Sequence, residues 1–187
     1  MNTFEIIILA LALVFTSWSS YVYAGGLFFD KALQTKVNYT GIMFLIQFLM
    51  TGAGIWIGFK FGNAESKINV LISLSIFLVT GLKVLLDNIG NQAADNNIEE
   101  ESWKGISLLA VLEGIIPLVT GIAIGLLSLH PWLHWILLGV FFLSGILSGL
   151  FISGRKKPGK PLLRLGSAGG LLLLAAGIKL ALNITGF

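Results

Sequence analysis

Six apolar stretches, each about 20 residues long, alternate along the chain with short polar runs. They span about Phe4 to Leu27, Tyr39 to Phe59, Ile68 to Asn88, Gly105 to Leu129, Pro131 to Ile152 and Leu162 to Ile184. About 20 apolar residues are what a helix needs to cross a hydrocarbon core of roughly 30 Å. Backbone groups in lipid must be satisfied internally, and these stretches lack the strict alternation of barrel strands. The pattern predicts an all-α integral membrane protein with six transmembrane helices.

A second pattern divides the chain in two. Gly81-Leu82-Lys83-Val84-Leu85-Leu86-Asp87 returns as Gly177-Ile178-Lys179-Leu180-Ala181-Leu182-Asn183, and Leu78 and Gly90 match Leu174 and Gly186 at the same shift of 96 positions. A cation within a membrane segment is expensive, so two lysines at equivalent positions point to a duplicated half-protein. Residues 1–90 then form the first three-helix repeat, 91–104 an acidic connector with Asp95, Glu99, Glu100 and Glu101, and 105–187 the second repeat. Three passes is an odd number, so the halves enter the bilayer in opposite senses. That inverted-topology repeat is the architecture of many secondary transporters, whose sites lie near the midplane between the halves.

Composition agrees with a membrane class. The 187 residues are 56% hydrophobic and 11% charged, and the mean hydropathy is +0.90. The 23 glycines suit helices packed closely at small side chains, with Gly54 and Gly58 as one such surface. Cysteine is absent, which excludes disulfides and thiolate metal sites. A net charge of +3 makes no case for nucleic acid. The basic loop 154–161 is the strongest orientation signal; placing it in the cytoplasm puts both termini outside, with Lys60 and Lys67 as the minority on the far side. Val22-Tyr23-Ala24 has the small-residue look of a signal-peptidase site, but Glu5 stands where a signal peptide needs basic residues, so the first segment is read as retained.

Polar residues within the spans are the candidates for chemistry. Glu113 lies well inside the fourth segment, where a carboxylate must face a cavity, a partner or a proton, or be hydrogen-bonded within the bundle. Pro117, four residues on, removes the donor to the Glu113 carbonyl, and a helix broken there would offer free oxygens to a small cation. The shift of 96 sets Ser17 opposite Glu113; Thr16, Ser17, Ser19 and Ser20 supply hydroxyls that either ligate weakly or bond back to their own helix. Gln47 needs a partner and reads as helix–helix glue or as a neutral ligand. Lys83 and Asp87 share one helix face, as an ion pair or as a gated carboxylate; Lys179 with Asn183 repeats the spacing without the acid. His130 and His134, four apart, could form a metal pair on one helix face, but they flank Pro131 at the membrane edge beside Trp132 and Trp135, which read as interfacial anchors. No nucleophile, base and orienter can be assembled, so catalysis has no support.

Gly41-Ile42-Met43-Phe44-Leu45-Ile46-Gln47 with Gly52, Gly54 and Gly58 resembles the second helix of the MntP-type manganese efflux pumps. Phe77-Leu78-Val79-Thr80-Gly81-Leu82-Lys83 with Asp87 resembles their third helix, and Leu165-Gly166 through Gly169-Gly170, Gly177 and Lys179 their last. The resemblance implies membership of the LysE-type exporter superfamily, with six helices in two inverted triplets and manganese as cargo. It also implies an ion-binding Asp in the first helix of each half. Here Trp18 stands at the first of those positions, Glu113 is the acid nearest the second, and Gln47 replaces the acid of the second helix.

The expectation is therefore a multi-pass secondary exporter of the inner membrane that moves a divalent cation in exchange for protons and carries no resident cofactor. Glu113 and Asp87 would be its metal carboxylates, with Ser17, Thr16, Gln47 and Asn183 as neutral ligands and Lys83 and Lys179 as charged partners. A homodimer would thicken the wall of the path. An exporter of an organic or anionic solute, fitted to the two lysines, is the alternative, and a non-transporting membrane module that binds a partner through the acidic connector is the second.

Overall fold

The computed structural model describes residues 3–18, 20–22, 33–62, 67–89, 103–127, 131–152 and 165–185. Among them the chain is entirely helical: α1 (Thr3–Thr16), α2 (Leu33–Phe61), α3 (Lys67–Ile89), α4 (Trp103–Leu126), α5 (Pro131–Ile152) and α6 (Leu165–Thr185). Residues 91–102 of the acidic connector 91–104, the basic loop 154–161, Asp30, Lys31, Ser19 and His130 lie outside the described residues, whereas Trp103 and Lys104 already belong to α4. α2, α3, α5 and α6 are long and apolar enough to cross a membrane; the apolar runs Glu5–Thr16 and Ala110–Leu126 are shorter.

Two boundaries differ from the sequence expectation. α2 begins at Leu33, six residues early, because Gln34, Thr35 and Lys36 continue the helix beyond its apolar stretch; its 29 residues reach about 43 Å. The first segment is not one helix: α1 stops at Thr16, Ser17 forms a turn, and Tyr21 N–H then donates to the Ser17 carbonyl at 3.1 Å. The helix expected to break, α4, runs through Pro117 without interruption. Thr120 Oγ donates to the carbonyls of Ile116 at 2.7 Å and Pro117 at 3.3 Å in that stretch. α5 begins at Pro131, a position that needs no intrahelical N–H partner.

The polarity of the molecule is reversed relative to a water-soluble bundle. Leu45, Trp56, Val79, Val140, Phe151 and Leu171 are among the many large apolar side chains exposed on the outer surface, whereas Ser17, Gln47, Thr51, Ser73 and Thr120 are fully buried. An apolar outer surface of this extent is a surface for lipid. Every helix nevertheless contributes to one apolar core, with Leu13, Ile55, Phe77, Ile124, Phe142 and Leu173 at its centre.

Glycines set the closest crossings. A Cβ on Gly54 would strike the Leu118 carbonyl, one on Gly58 the Ile122 carbonyl, and one on Gly121 would lie 2.7 Å from the Thr51 carbonyl oxygen. Residue numbers rise together along this contact, so α2 and α4 run parallel with backbones touching over several turns. The other crossings also have a readable sense. Gly52 meets Trp135 and Gly139 meets Phe48, making α2 and α5 antiparallel. Gly145 meets Val14 and Gly149 meets Tyr21, making α1 and α5 parallel. Gly81 meets Leu174 while Gly177 meets Leu78, making α3 and α6 antiparallel.

Candidate functional site

The turn that ends α1 delivers three hydroxyl side chains into the bundle within five residues. Ser20 Oγ donates to Glu113 Oε1 of α4 at 2.5 Å. Tyr21 Oη, fully buried, donates to Gln47 Oε1 of α2 at 2.5 Å. Ser17 Oγ lies against both the Glu113 carboxylate and the Tyr21 hydroxyl, without the alignment of a formed hydrogen bond. Gln47 is the middle residue of α2, so the cluster sits at half the length of the longest helix.

These groups are all oxygens or amides. Glu113 is half-buried and supplies the carboxylate; Ser17, Ser20, Tyr21 and Gln47 supply neutral oxygens. Gln47 Nε2 is buried without a protein partner, as is Ser17 Oγ, and a buried polar atom left in that state costs about 1–3 kcal/mol. Rotating the Gln47 amide exchanges its oxygen and nitrogen, so either can be offered to the space beside Tyr21. Oxygen donors around one carboxylate suit a proton or a hard cation. Among the described residues there is no group of three or more His, Cys, Asp or Glu.

Of the residues singled out in the sequence, Glu113, Gln47 and Ser17 converge here. Thr16 is adjacent, but its hydroxyl donates to its own helix at the Leu13 carbonyl, 2.7 Å away. Lys83 and Asp87 form an ion pair of 2.5 Å within α3, with side chains 62% and 59% exposed. The Lys83 ammonium is within electrostatic range of Glu113. Lys179, which has no acid in its own helix, pairs instead with Glu5 of α1 at 2.5 Å. Both lysines thus have a carboxylate beside them. The Asn183 side chain lies outside the described residues. His134 is buried at the start of α5.

Two members of the cluster were not singled out. Tyr21 carries no reading from the sequence, and Ser20 is one hydroxyl among four. The available signal was spacing: Tyr21 follows Ser17 by four and so shares its face once a helical turn resumes there. Trp18, standing where the resemblance expects an acid, packs edge-on against Phe15 with ring centroids 6.0 Å apart and leaves its Nε1 buried without a partner.

A multi-pass helical protein with an apolar exterior, and with one carboxylate held among hydroxyls and an amide in its interior, falls in the class of small membrane transporters. A family model described as "Putative manganese efflux pump" matches residues 30–181, and the chain belongs to that family. Three relatives carry the name "Putative manganese efflux pump MntP". The one from Methanobrevibacter smithii is 29% identical over 182 residues, covering 96% of each chain. The one from Fusobacterium nucleatum is 26% identical over 161 residues, covering 83% of this chain and 86% of its own. The one from Actinobacillus succinogenes is 23% identical over 143 residues, covering 74% of each. No solved structure matches the chain.

Proposed function

We propose that this protein exports a divalent cation, manganese in the first place, across the inner membrane in exchange for protons, with Glu113 as the carboxylate that takes cation and proton in turn. The observation that carries the reading is the Ser20–Glu113 contact beside Ser17, Tyr21 and Gln47: a half-buried acid held by neutral oxygens between the helices. The names of the relatives supply the metal. Asp87, paired to Lys83 at the outer side of α3, would be a secondary carboxylate on the path rather than a ligand in the same shell.

The scaffold for this function is six alternating passes arranged as two inverted three-helix repeats. Two features support it. The sense of each crossing, parallel for α2 with α4 and α1 with α5, antiparallel for α2 with α5 and α3 with α6, is the one that alternating passes require. Exchanging α1 with α4, α2 with α5 and α3 with α6 also carries each extensive helix contact onto another or onto itself. Both termini would lie outside and the 154–161 loop in the cytoplasm, following the basic-loop rule.

The test is metal uptake into everted vesicles, screened across manganese, magnesium, iron and zinc, with wild type and Glu113→Gln at equal membrane levels. Wild type should take up manganese with release of protons, and the variant should not. Equal uptake by a well-inserted Glu113→Gln protein removes Glu113 from the mechanism.

A further inference from the structure

A second feature stands apart from the Glu113 cluster. Between α1, α3 and α6 lies a cavity of about 150 Å³, walled by Ile8, Leu9, Phe77, Ala176 and Leu180, with Glu5 and Lys179 as its charged lining. It is apolar apart from these two, and Ala175 and Lys179 on its lining are exposed, so it opens on the outer surface of the bundle. A cavity of this size and lining stays dry and accepts an apolar group rather than water.

The two charges say what that group is attached to. Glu5 lies in the first turn of α1, and Lys179 lies six residues, about 9 Å, before the end of the antiparallel α6, so both sit toward the same end of the bundle. Their 2.5 Å contact leaves 55% of the Lys179 side chain and 23% of that of Glu5 exposed. The polar rim therefore offers one cation and one anion side by side above an apolar slot. We infer that this cavity binds a bilayer phospholipid with a zwitterionic head bearing a primary ammonium, its phosphate on Lys179, its ammonium on Glu5 and part of an acyl chain against Leu9, Phe77 and Ala176. Basic side chains between membrane helices are known to hold phosphate headgroups; here the adjacent carboxylate selects against a purely anionic head. A quaternary ammonium, which has no N–H to donate, fits the carboxylate less well.

Thermal unfolding of the purified, delipidated protein in detergent tests this without reference to transport. Phosphatidylethanolamine should raise the midpoint by roughly 5 °C at saturation, more than phosphatidylcholine or phosphatidylglycerol does. Ala176→Phe, which fills the slot, should abolish that increment. Glu5→Gln, which leaves the slot open and frees Lys179, should shift the preference toward phosphatidylglycerol. Equal increments from all three lipids on the wild type, or an unchanged preference in Glu5→Gln, would overturn the assignment. Should Ala176→Phe fail to fold, the Glu5→Gln comparison decides alone.

Discussion

The hydroxyl of Ser20, just beyond α1, stands 2.5 Å from a carboxylate oxygen of Glu113 on α4, 93 positions away in sequence. A hydrogen bond to an ionised group contributes about 1.5–3 kcal/mol. If the bond orients Glu113 for its cargo, Ser20→Ala should weaken half-saturation for manganese by roughly tenfold or more, since about 1.4 kcal/mol is a factor of ten. Export rate at saturating metal should fall less. Concentration-dependent uptake in everted vesicles measures both, and an unchanged half-saturation would mean that the contact only packs the helices.

Tyr21 and Gln47 form the neutral wall of the same cluster. Tyr21→Phe keeps the ring and removes the donor, leaving the Gln47 oxygen without it. Hydrogen bonds between membrane helices are worth about 0.6 kcal/mol on average, so a modest drop in thermal midpoint is expected. Gln47→Glu, by contrast, adds the acid that the resemblance places in the second helix. That variant should bind divalent cations more tightly than wild type, read as metal protection against thermal unfolding.

Pro117 should behave as a functional rather than a structural residue. α4 continues through it, so Pro117→Ala restores an N–H toward the Glu113 carbonyl without altering the path of the helix. The expected outcome is a raised thermal midpoint together with weaker manganese uptake. If uptake is unchanged, the freed carbonyl takes no part in binding.

The α2–α4 crossing is the least forgiving place in the fold. Gly125 has no room for a side chain, because a Cβ there would strike the Ile55 carbonyl. Gly125→Leu should cost more than the 1–3 kcal/mol typical of overpacking, since backbone rather than a movable side chain is in the way. Loss of folded protein in detergent-solubilised membranes is the readout. Gly41→Leu, at a glycine with open space around it, is the control and should be tolerated.

Much of this was legible from residue order. Apolar run length located the helices, and the Gly54–Gly58 spacing marked a close-packed surface that α4 covers. Ser17, Gln47 and Glu113 stood out because polar atoms within a membrane must find partners. What residue order did not reveal was which partner each would find. Glu5 and Lys179 are 174 positions apart, and no local period links them. The break was also expected in the wrong place, at Pro117 of α4 rather than after Thr16. Proline marks a missing donor but not a broken helix, and α4 continues through Pro117, whereas α1 stops at Thr16, whose hydroxyl bonds back to the Leu13 carbonyl.

The glycine contact between α2 and α4 has a kinematic consequence. Two helices whose backbones interlock along several turns can rotate or tilt together but cannot slip past each other, so Gln47 and Glu113 travel as passengers on one rigid beam. Ser20 and Tyr21 ride on a separate piece, joined to that beam by two hydrogen bonds and by the packing of Tyr21 on Tyr39, Met43 and Ala110. Any separation of the two pieces then has a natural parting line, and the two hydroxyls are the clasps along it.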